Sequence, residues 1–224
     1  MKRTQRILAT SLLCFLCVGA SLAQKIGDRS STLVKHAAVI TTFFRNDQPS
    51  DNEKAMNSVR DEITSVLSKS GIEEVSQAQV NAAWIKVLGQ SFDETTVNMP
   101  RAEDLVAIGK QLGVDYVLFA RTKWHVKSVW VTLGPKTKAD ATVDLWVINP
   151  VSSEFVSRQP DIHSDDTGKE AALGIALDVF VAPVTFVSGG PETPHMQRAG
   201  QLAMIKALAP WVKSMQASSN KIGK

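Results

Sequence analysis

The sequence predicts an α/β (α+β) fold, a mixed β-sheet flanked by helices, on three observations. Residues 33–44 have a centre, Ala37-Ala38-Val39-Ile40, that is apolar on both faces, which is typical of a strand covered on both sides. Apolar residues then recur at helical spacing as far as Gly113, and beyond it they alternate with a period of about 2. The order β-α-β-α-α, a β meander and closing helices fits a two-layer or three-layer sandwich.

The first half contains three predicted helices. Ser50 and Glu53 form an S-x-x-E capping box before the first helix, and Gly71 stands where a C-cap glycine belongs. Its apolar stripe is Met56, Val59, Ile63, Val66 and Leu67. Residues 72–75 form a short strand, and Ser76 with Gln79 repeats the capping box before a second helix. Pro100 opens the third helix, which Gly113 ends.

The second half is predicted as strands followed by two helices. Residues 114–127 and 139–148 are β-rich, and Gly134-Pro135 marks their connection. In the later strand the side chains of Asp140, Thr142 and Asp144 are expected in solvent, opposite Ala139, Ala141, Val143, Leu145 and Val147. A further strand lies around residues 154–158, after a turn at Asn149-Pro150. Helices follow at 167–181 and 197–212, the last with Leu202, Ile205, Leu208 and Val212 inward and Pro210 bending its end.

Residues 1–23 are typical of a cleavable export signal. Lys2, Arg3 and Arg6 precede an uncharged apolar stretch, and Ser21-Leu22-Ala23 offers a cleavage site before Gln24. An uncleaved anchor is the alternative, but the stretch is short for a spanning helix. We expect one α/β domain at 33–215, between flexible ends at 24–32 and 216–224. The mature protein is expected to be periplasmic or secreted.

Removal of this segment changes what the composition implies. Cys14 and Cys17 both lie in its apolar core, so the mature chain would have neither a disulfide nor a lipid-bearing cysteine, and we expect no lipidation. The 25 basic residues fall to 22, equal to the 22 acidic ones. A formally neutral chain gives no reason to propose nucleic acid as a partner.

The segment Leu112-Gly113-Val114-Asp115-Tyr116-Val117-Leu118 resembles a signature of bacterial envelope proteins. It is similar to the helix-end glycine and strand entry shared by the CsgG curli-secretion family, the TolB amino-terminal domain and LpoB-like lipoproteins. The resemblance covers roughly residues 33–212 and implies an anticodon-binding-like, TolB-N-like sandwich. The chain departs from the pattern at Ala120, where the family has glycine, and at residues 149–153, where the family has an Asp-x-x-Thr-Gly turn.

No constellation of residues identifies a reaction, a cofactor or a metal site. The histidines, His36, His125, His163 and His195, lack the spacing of zinc ligands, and no P-loop, G-x-S-x-G or H-E-x-x-H motif occurs. Asp161, Asp165 and Asp166 flank His163, which is expected in a polar loop. We interpret the aspartates as a solvated turn before the helix at 167, with a metal or acid/base cluster as the alternative.

A basic hairpin with two tryptophans is the candidate interaction surface: Lys123, Trp124, Lys127, Trp130, Lys136 and Lys138. Such residues suit a protein surface, an anionic glycan or a lipid headgroup. The interpretation we prefer is that the rings pack on the core and the lysines solubilise an edge. Because lysines interrupt any apolar band, a membrane pore is not expected.

The sequence therefore predicts a non-enzymatic exported protein of a Gram-negative-type envelope, acting by protein–protein contact in assembly, secretion or maintenance. The first alternative is a periplasmic hydrolase with a site around His163 and Asp165. The second is an oligomeric, CsgG-like secretion component, which would be a homo-oligomer. No membrane span is expected after signal cleavage.

Overall fold

The order of elements follows the predicted order closely. A computed structural model describes residues 34–95, 99–131, 134–166 and 192–222. Its elements are β1 (Lys35–Arg45), β2 (Gln48–Pro49), α1 (Glu53–Lys69), β3 (Ile72–Glu74), α2 (Gln77–Leu88), α3 (Ala102–Leu112), β4 (Tyr116–Val131), β5 (Gly134–Asn149), β6 (Glu154–Asp165) and α4 (Thr193–Ile222). The predicted signal and the predicted helix at 167–181 lie outside the described residues.

The sheet is mixed, which confirms the predicted fold class. Its strands run in the order β2-β1-β4-β5-β6, and β3 pairs with β1. The β1–β3 and β1–β4 pairs are parallel, whereas β1–β2, β4–β5 and β5–β6 are antiparallel. The strand β1 therefore pairs with β4 along most of its length, with β3 at its start and with β2 at its end.

Helices cover the two faces of the sheet in pairs, so the fold has three layers. Ala37, Val39 and Phe43 of β1 pack in one cluster with α1 and α4. Ala38 and Ile40, which point the other way, pack in a second cluster with α2 and α3. We call these the α1/α4 face and the α2/α3 face. The meander contributes Leu118, Trp124 and alternate residues from Ala139 to Val147 to the first, and Val117, Phe119 and Ile148 to the second.

The helix ends test the capping predictions individually. Ser76 and Gln79 form the predicted capping box of α2, and Gly113 ends α3 with φ +67°. The predicted box at Ser50 is wrong, because Asn52 is the N-cap of α1 and its side chain accepts the Ala55 N–H. Ser50 instead accepts a hydrogen bond from the Asn52 N–H. Ser50 and Asn52 lie two residues apart and both can cap a helix, and the sequence pattern selected the wrong one.

The strands of the meander are longer than predicted. Gly134 and Pro135 lie in β5 opposite Val131 and Trp130, so they pair with β4 and do not form the connection. The strand β6 continues to Asp165, and therefore His163, Asp161 and Asp165 are strand residues; the predicted polar loop is wrong, and the helix that the aspartates were predicted to cap lies outside the described residues. A register shift in the β5–β6 pair accommodates Pro160 and Asp161 on this outer strand.

The closing helix also differs in length and inward face. Helix α4 continues through Pro210 to Ile222. Leu208 and Val212 are buried as predicted, but Leu202 and Ile205 are only half-buried. The side chains against the sheet and α1 are Met196, Ala199, Ala203, Met204, Ala207 and Trp211. Small alanines let α4 approach closely, and a pattern search for large apolar residues passes over them.

Candidate interaction surfaces

Trp124 is a core residue and is not part of an interaction surface. Its side chain is 1% exposed, and its ring stacks on Phe43 with centroids 6.0 Å apart. The indole Nε1–H donates a hydrogen bond of 2.8 Å to the Met196 carbonyl at the start of α4. This corrects the candidate surface and agrees with the core interpretation preferred from the sequence. The side chain of Trp130 lies outside the part of the chain that the structure describes.

The four lysines of the candidate surface lie at strand positions that share the α2/α3 face. Lys123 and Lys127 alternate with the inward Trp124 and Val126, and Lys136 and Lys138 alternate with the inward Thr137 and Ala139. Lys127 is directly opposite Lys138. Lys127, Lys136 and Lys138 are exposed, and among the described residues none of these three pairs with a carboxylate. The hairpin therefore presents unneutralised positive charge.

Asp144 does not lie in solvent as predicted, since only 5% of it is exposed. Its carboxylate accepts hydrogen bonds from Arg121 Nε at 2.9 Å and from the backbone N–H of Asp161 at 3.1 Å. Arg121 Nη2 adds a contact of 2.8 Å, and Lys123 Nζ lies 3.8 Å away. The buried carboxylate holds Asp161, which has φ +53°, and so fixes the irregular part of β6. We interpret this cluster as structural.

A set of exposed and half-buried side chains that the sequence did not single out lies at the β5–β6 end of the α2/α3 face. Trp146 of β5 is opposite Arg158, and Phe155 is opposite Ile148. The Trp146 and Phe155 rings meet edge to face at 5.7 Å and 88°. The Arg158 guanidinium lies over both rings, 5.6 Å from Trp146 and 5.5 Å from Phe155. We call Trp146, Phe155 and Arg158 the Arg158 patch.

Helix α3 packs over β4 and the start of the β5–β6 turn, and β6 packs mainly against α4 on the other face of the sheet. The Arg158 patch is therefore left open to solvent. Phe155 is 42% exposed, and neighbouring Val156 and Val151 are 41% and 82% exposed. Arg158 forms no ion pair with a carboxylate of the described chain. Aromatic rings with an arginine are the residue types that dominate protein interfaces.

A cleft of about 430 Å³ lies beside the start of α4. Its lining includes Lys136, Thr137, Lys138, Asp166, His195 and Arg198, and we call it the His195 cleft. His195 Nδ1 contacts the Asp166 carboxylate, which is itself buried, and the Asp166 N–H donates to the Ala139 carbonyl. In nucleophilic catalysis, a carboxylate orients an imidazole that acts as general base on a neighbouring nucleophile. No hydroxyl or thiol of the described residues hydrogen-bonds to His195, so no nucleophile completes this arrangement.

The remaining candidate residues are dispersed. His36 begins β1 and lies 3.7 Å from Glu73, and exposed His125 is opposite Asp140. His163 is opposite Thr142, while its backbone carbonyl accepts from Lys206. Within the described residues, no three His, Cys, Asp or Glu side chains gather as metal ligands. None of the described helices has the length and apolarity to cross a membrane.

The sequence held a weak signal for one of the two sites that it missed. Trp146 and Phe155 are large apolar residues on either side of a turn, and Trp146 follows Asp140, Thr142 and Asp144 on a strand face predicted to be solvated. Asp166 and His195 belong to distant parts of the chain, and no spacing rule could have brought them together.

No family model and no curated protein matches the chain. Among solved structures, it is similar to the LpoB C-terminal domain from Salmonella enterica, with 15% identity and a TM-score of 0.37 over 65% of this chain and 90% of that one. Lipoprotein GNA1162 from Neisseria meningitidis matches with 14% identity and a TM-score of 0.41 over 65% and 94%. Hypothetical protein CT253 from Chlamydia trachomatis matches with 12% identity and a TM-score of 0.41 over 82% and 99%.

LpoB domains are thus among the structural matches, whereas the CsgG and TolB parts of the sequence resemblance stay predictions. At these identities and TM-scores, the likenesses assign neither a family nor a function to the chain.

Proposed function

We propose that this chain is a non-enzymatic exported envelope protein that acts by binding another protein through the Arg158 patch. The observation that carries the proposal is the stack of Arg158 on two aromatic rings at an uncovered end of the sheet. The residues 1–23, typical of an export signal, support an envelope location. The identity of the partner would decide whether the protein serves envelope assembly, secretion or maintenance.

The chemistry of the patch describes that partner. Phe155 offers an exposed ring, so the partner should present an apolar pocket that removes this ring from water. Arg158 pairs with no carboxylate of the described residues, so an Asp or Glu of the partner should complete it with paired hydrogen bonds. Because the guanidinium already rests on two rings, little side-chain freedom is lost on binding.

Site-specific photo-crosslinking tests this proposal. A benzophenone amino acid replaces Phe155 in one strain and Ile85 in a matched control, since Ile85 is also exposed, at 48%, but lies on α2. We expect one specific protein adduct from position 155 and none of the same mass from position 85. Adding Arg158→Glu should remove the adduct, because its charge would repel the partner carboxylate.

An adduct that survives Arg158→Glu would contradict the proposed contact, as would equal adducts from both positions. An adduct with a second copy of the chain would replace the separate partner by a homo-oligomer. The hydrolase alternative is tested separately with chromogenic esters, phosphates and glycosides.

A further inference from the structure

The His195 cleft has an excess of positive charge that folding alone does not explain. Among the described residues, Lys136, Lys138 and Arg198 line it, against the single carboxylate of Asp166. That carboxylate is already occupied by His195, and it lies almost wholly out of solvent. Among the described residues, the two lysines and Arg198 have no ion pair with any carboxylate. The cleft therefore carries three unneutralised cations.

The placement of the lysines is unfavourable for the isolated fold. Lys138 lies directly opposite Lys127 on β4, and Lys136 is one alternate position further along the same face. Like charges directly opposite each other on neighbouring strands are destabilising. A bound anion would remove this repulsion, whereas a purely structural role for the hairpin would favour a carboxylate at one of these positions.

Beside the cleft, β5 has no partner among the described strands beyond the end of β6. The β5–β6 pairing ends at Asp140 and Asp165, followed by the hydrogen bond from Asp166 to Ala139. At Lys136, Thr137 and Lys138, β5 pairs with β4 on one side, and no described strand pairs with it on the other. The side chains of Lys136 and Lys138 leave β5 on the α2/α3 face. Because their four-carbon stems are flexible, they can bend around this edge of β5 toward His195 and Arg198.

His195 is held ready for a ligand. Its Nδ1 is fixed by Asp166, which leaves Nε2 for a second partner, and 39% of its side chain is exposed. Arg198 follows one turn later on the same helix and presents a planar fork of donors. The volume of about 430 Å³ is within the range of roughly 300–1,000 Å³ typical of small-ligand sites.

We propose that the His195 cleft binds a phosphomonoester dianion. Arg198 would hold two phosphate oxygens, Lys136 and Lys138 would supply point charges, and His195 Nε2 would complete the contacts. A phosphomonoester carries a charge of about −1.5 to −2 at neutral pH, which matches the excess of two positive charges over Asp166 better than a single carboxylate does. The phosphate belongs to a soluble metabolite or glycan, or to a lipid headgroup. This site is separate from the Arg158 patch.

The test is a heteronuclear NMR titration of the mature chain with inorganic phosphate at constant ionic strength. Glycerol phosphate is the soluble monoester probe, and phosphatidylcholine vesicles with and without phosphatidic acid are the lipid probe. We expect saturable shifts at the amides of Thr137, Asp166, His195 and Arg198. Binding to the soluble probes identifies a soluble source, and binding to phosphatidic acid vesicles alone identifies a lipid source.

Variants separate specific binding from general attraction. Arg198→Gln should weaken phosphate binding about tenfold or more, the loss expected for a charge-assisted hydrogen bond. The double variant Lys136→Gln/Lys138→Gln, at exposed positions, should have a similar effect without unfolding. Lys86→Gln, an exposed lysine on α2, is the matched control and should change nothing. Absence of saturable binding to every probe, or equal weakening by Lys86→Gln, would overturn the proposal.

Discussion

The two faces of the sheet are covered to different extents, and the difference separates stability from recognition. On the α1/α4 face, α4 spans β5 and β6 while α1 packs along α4, so even Trp124 is 1% exposed. On the α2/α3 face, α2 and α3 cover β1 and β4 and reach only the turn end of β5. There the rings of Trp146 and Phe155 meet solvent beneath Arg158.

The comparison shows that the burial of an aromatic residue on a strand depends on which helices cover that part of the sheet. Trp124 and Trp146 lie on the neighbouring strands β4 and β5. Trp124 is enclosed and donates its N–H to Met196, whereas Trp146 is half-buried and supports a cation. Changes on the first face should therefore alter folding, and changes on the exposed part of the second should alter binding.

The largest effect is expected at Trp124. Trp124→Ala would leave a cavity among Phe43, Gly200 and Met196 and remove the hydrogen bond to the Met196 carbonyl. Removal of a large buried aromatic ring costs about 3–5 kcal/mol of the free energy of unfolding. Urea denaturation followed by circular dichroism measures it. Phe155→Ala is the matched control on the other face and should cost less than about 1 kcal/mol, since its ring is 42% exposed. Equal losses would break the comparison.

A smaller effect is expected where helices approach the sheet through glycine. A Cβ at Gly109 on α3 would lie 2.6 Å from Val117 Cγ2 and 2.7 Å from Pro150 Cβ. At Gly200 on α4 the nearest atoms would be Val59 Cγ2 at 2.9 Å and Trp124 Nε1 at 3.0 Å. Overpacking of this kind costs about 1–3 kcal/mol.

We expect Gly109→Ala to lower the free energy of unfolding more than Gly200→Ala, because its contacts are shorter and include a proline ring that cannot rotate away. The reverse order, measured by the same denaturation, would show that α3 is held less firmly than α4.

The smallest effect concerns Glu62, which lies on the buried side of α1 and whose Oε1 has no hydrogen-bond partner among the described residues. Burial raises the pKa of this carboxyl above its usual 4.5, while Lys69 acts to lower it and Asp61 to raise it. The folded chain then binds more protons than the unfolded chain above pH 4.5. The contribution of protonated Glu62 to the free energy of unfolding is therefore fully present below that pH, and it is lost as pH rises through the raised pKa.

Glu62→Gln should therefore stabilise the fold at neutral pH, by up to about 1 kcal/mol, and flatten the decline in stability above the usual carboxyl pKa. Thermal melting across pH measures both. Asp61→Asn, an exposed neighbour on the same helix, should leave most of the decline in place. A lower stability of Glu62→Gln at neutral pH would contradict the assignment of a desolvated carboxyl.

The fold was predictable where local chemistry and burial agree. The two-sided apolar centre of β1, the Ser76 capping box and Gly113 each determine their structure within a few residues. The inward face of α4 was not, because alanines fill it at close approach to α1 and β5. Nor was the burial of Asp144, since the Arg121 fork and the Asp161 amide come from other strands.

The candidate sites were less predictable than the fold. The lysines of the hairpin were recognised as a group, but their shared face depends on a strand register that only the structure gives. Exposure of Phe155 depends on where α3 ends and on β6 packing against α4, which are tertiary features. The contact between Asp166 and His195 joins β6 to α4 across distant parts of the sequence.

The most direct test of the central claim is the affinity of the cross-linked partner for the double variant Phe155→Ala/Arg158→Gln, measured by calorimetry beside its thermal midpoint. The account predicts binding weaker by about a hundredfold, as two interface anchors are removed, with little change in the midpoint. Unchanged affinity, or affinity lost only together with the folded state, would contradict the assignment of recognition to the uncovered end of the α2/α3 face.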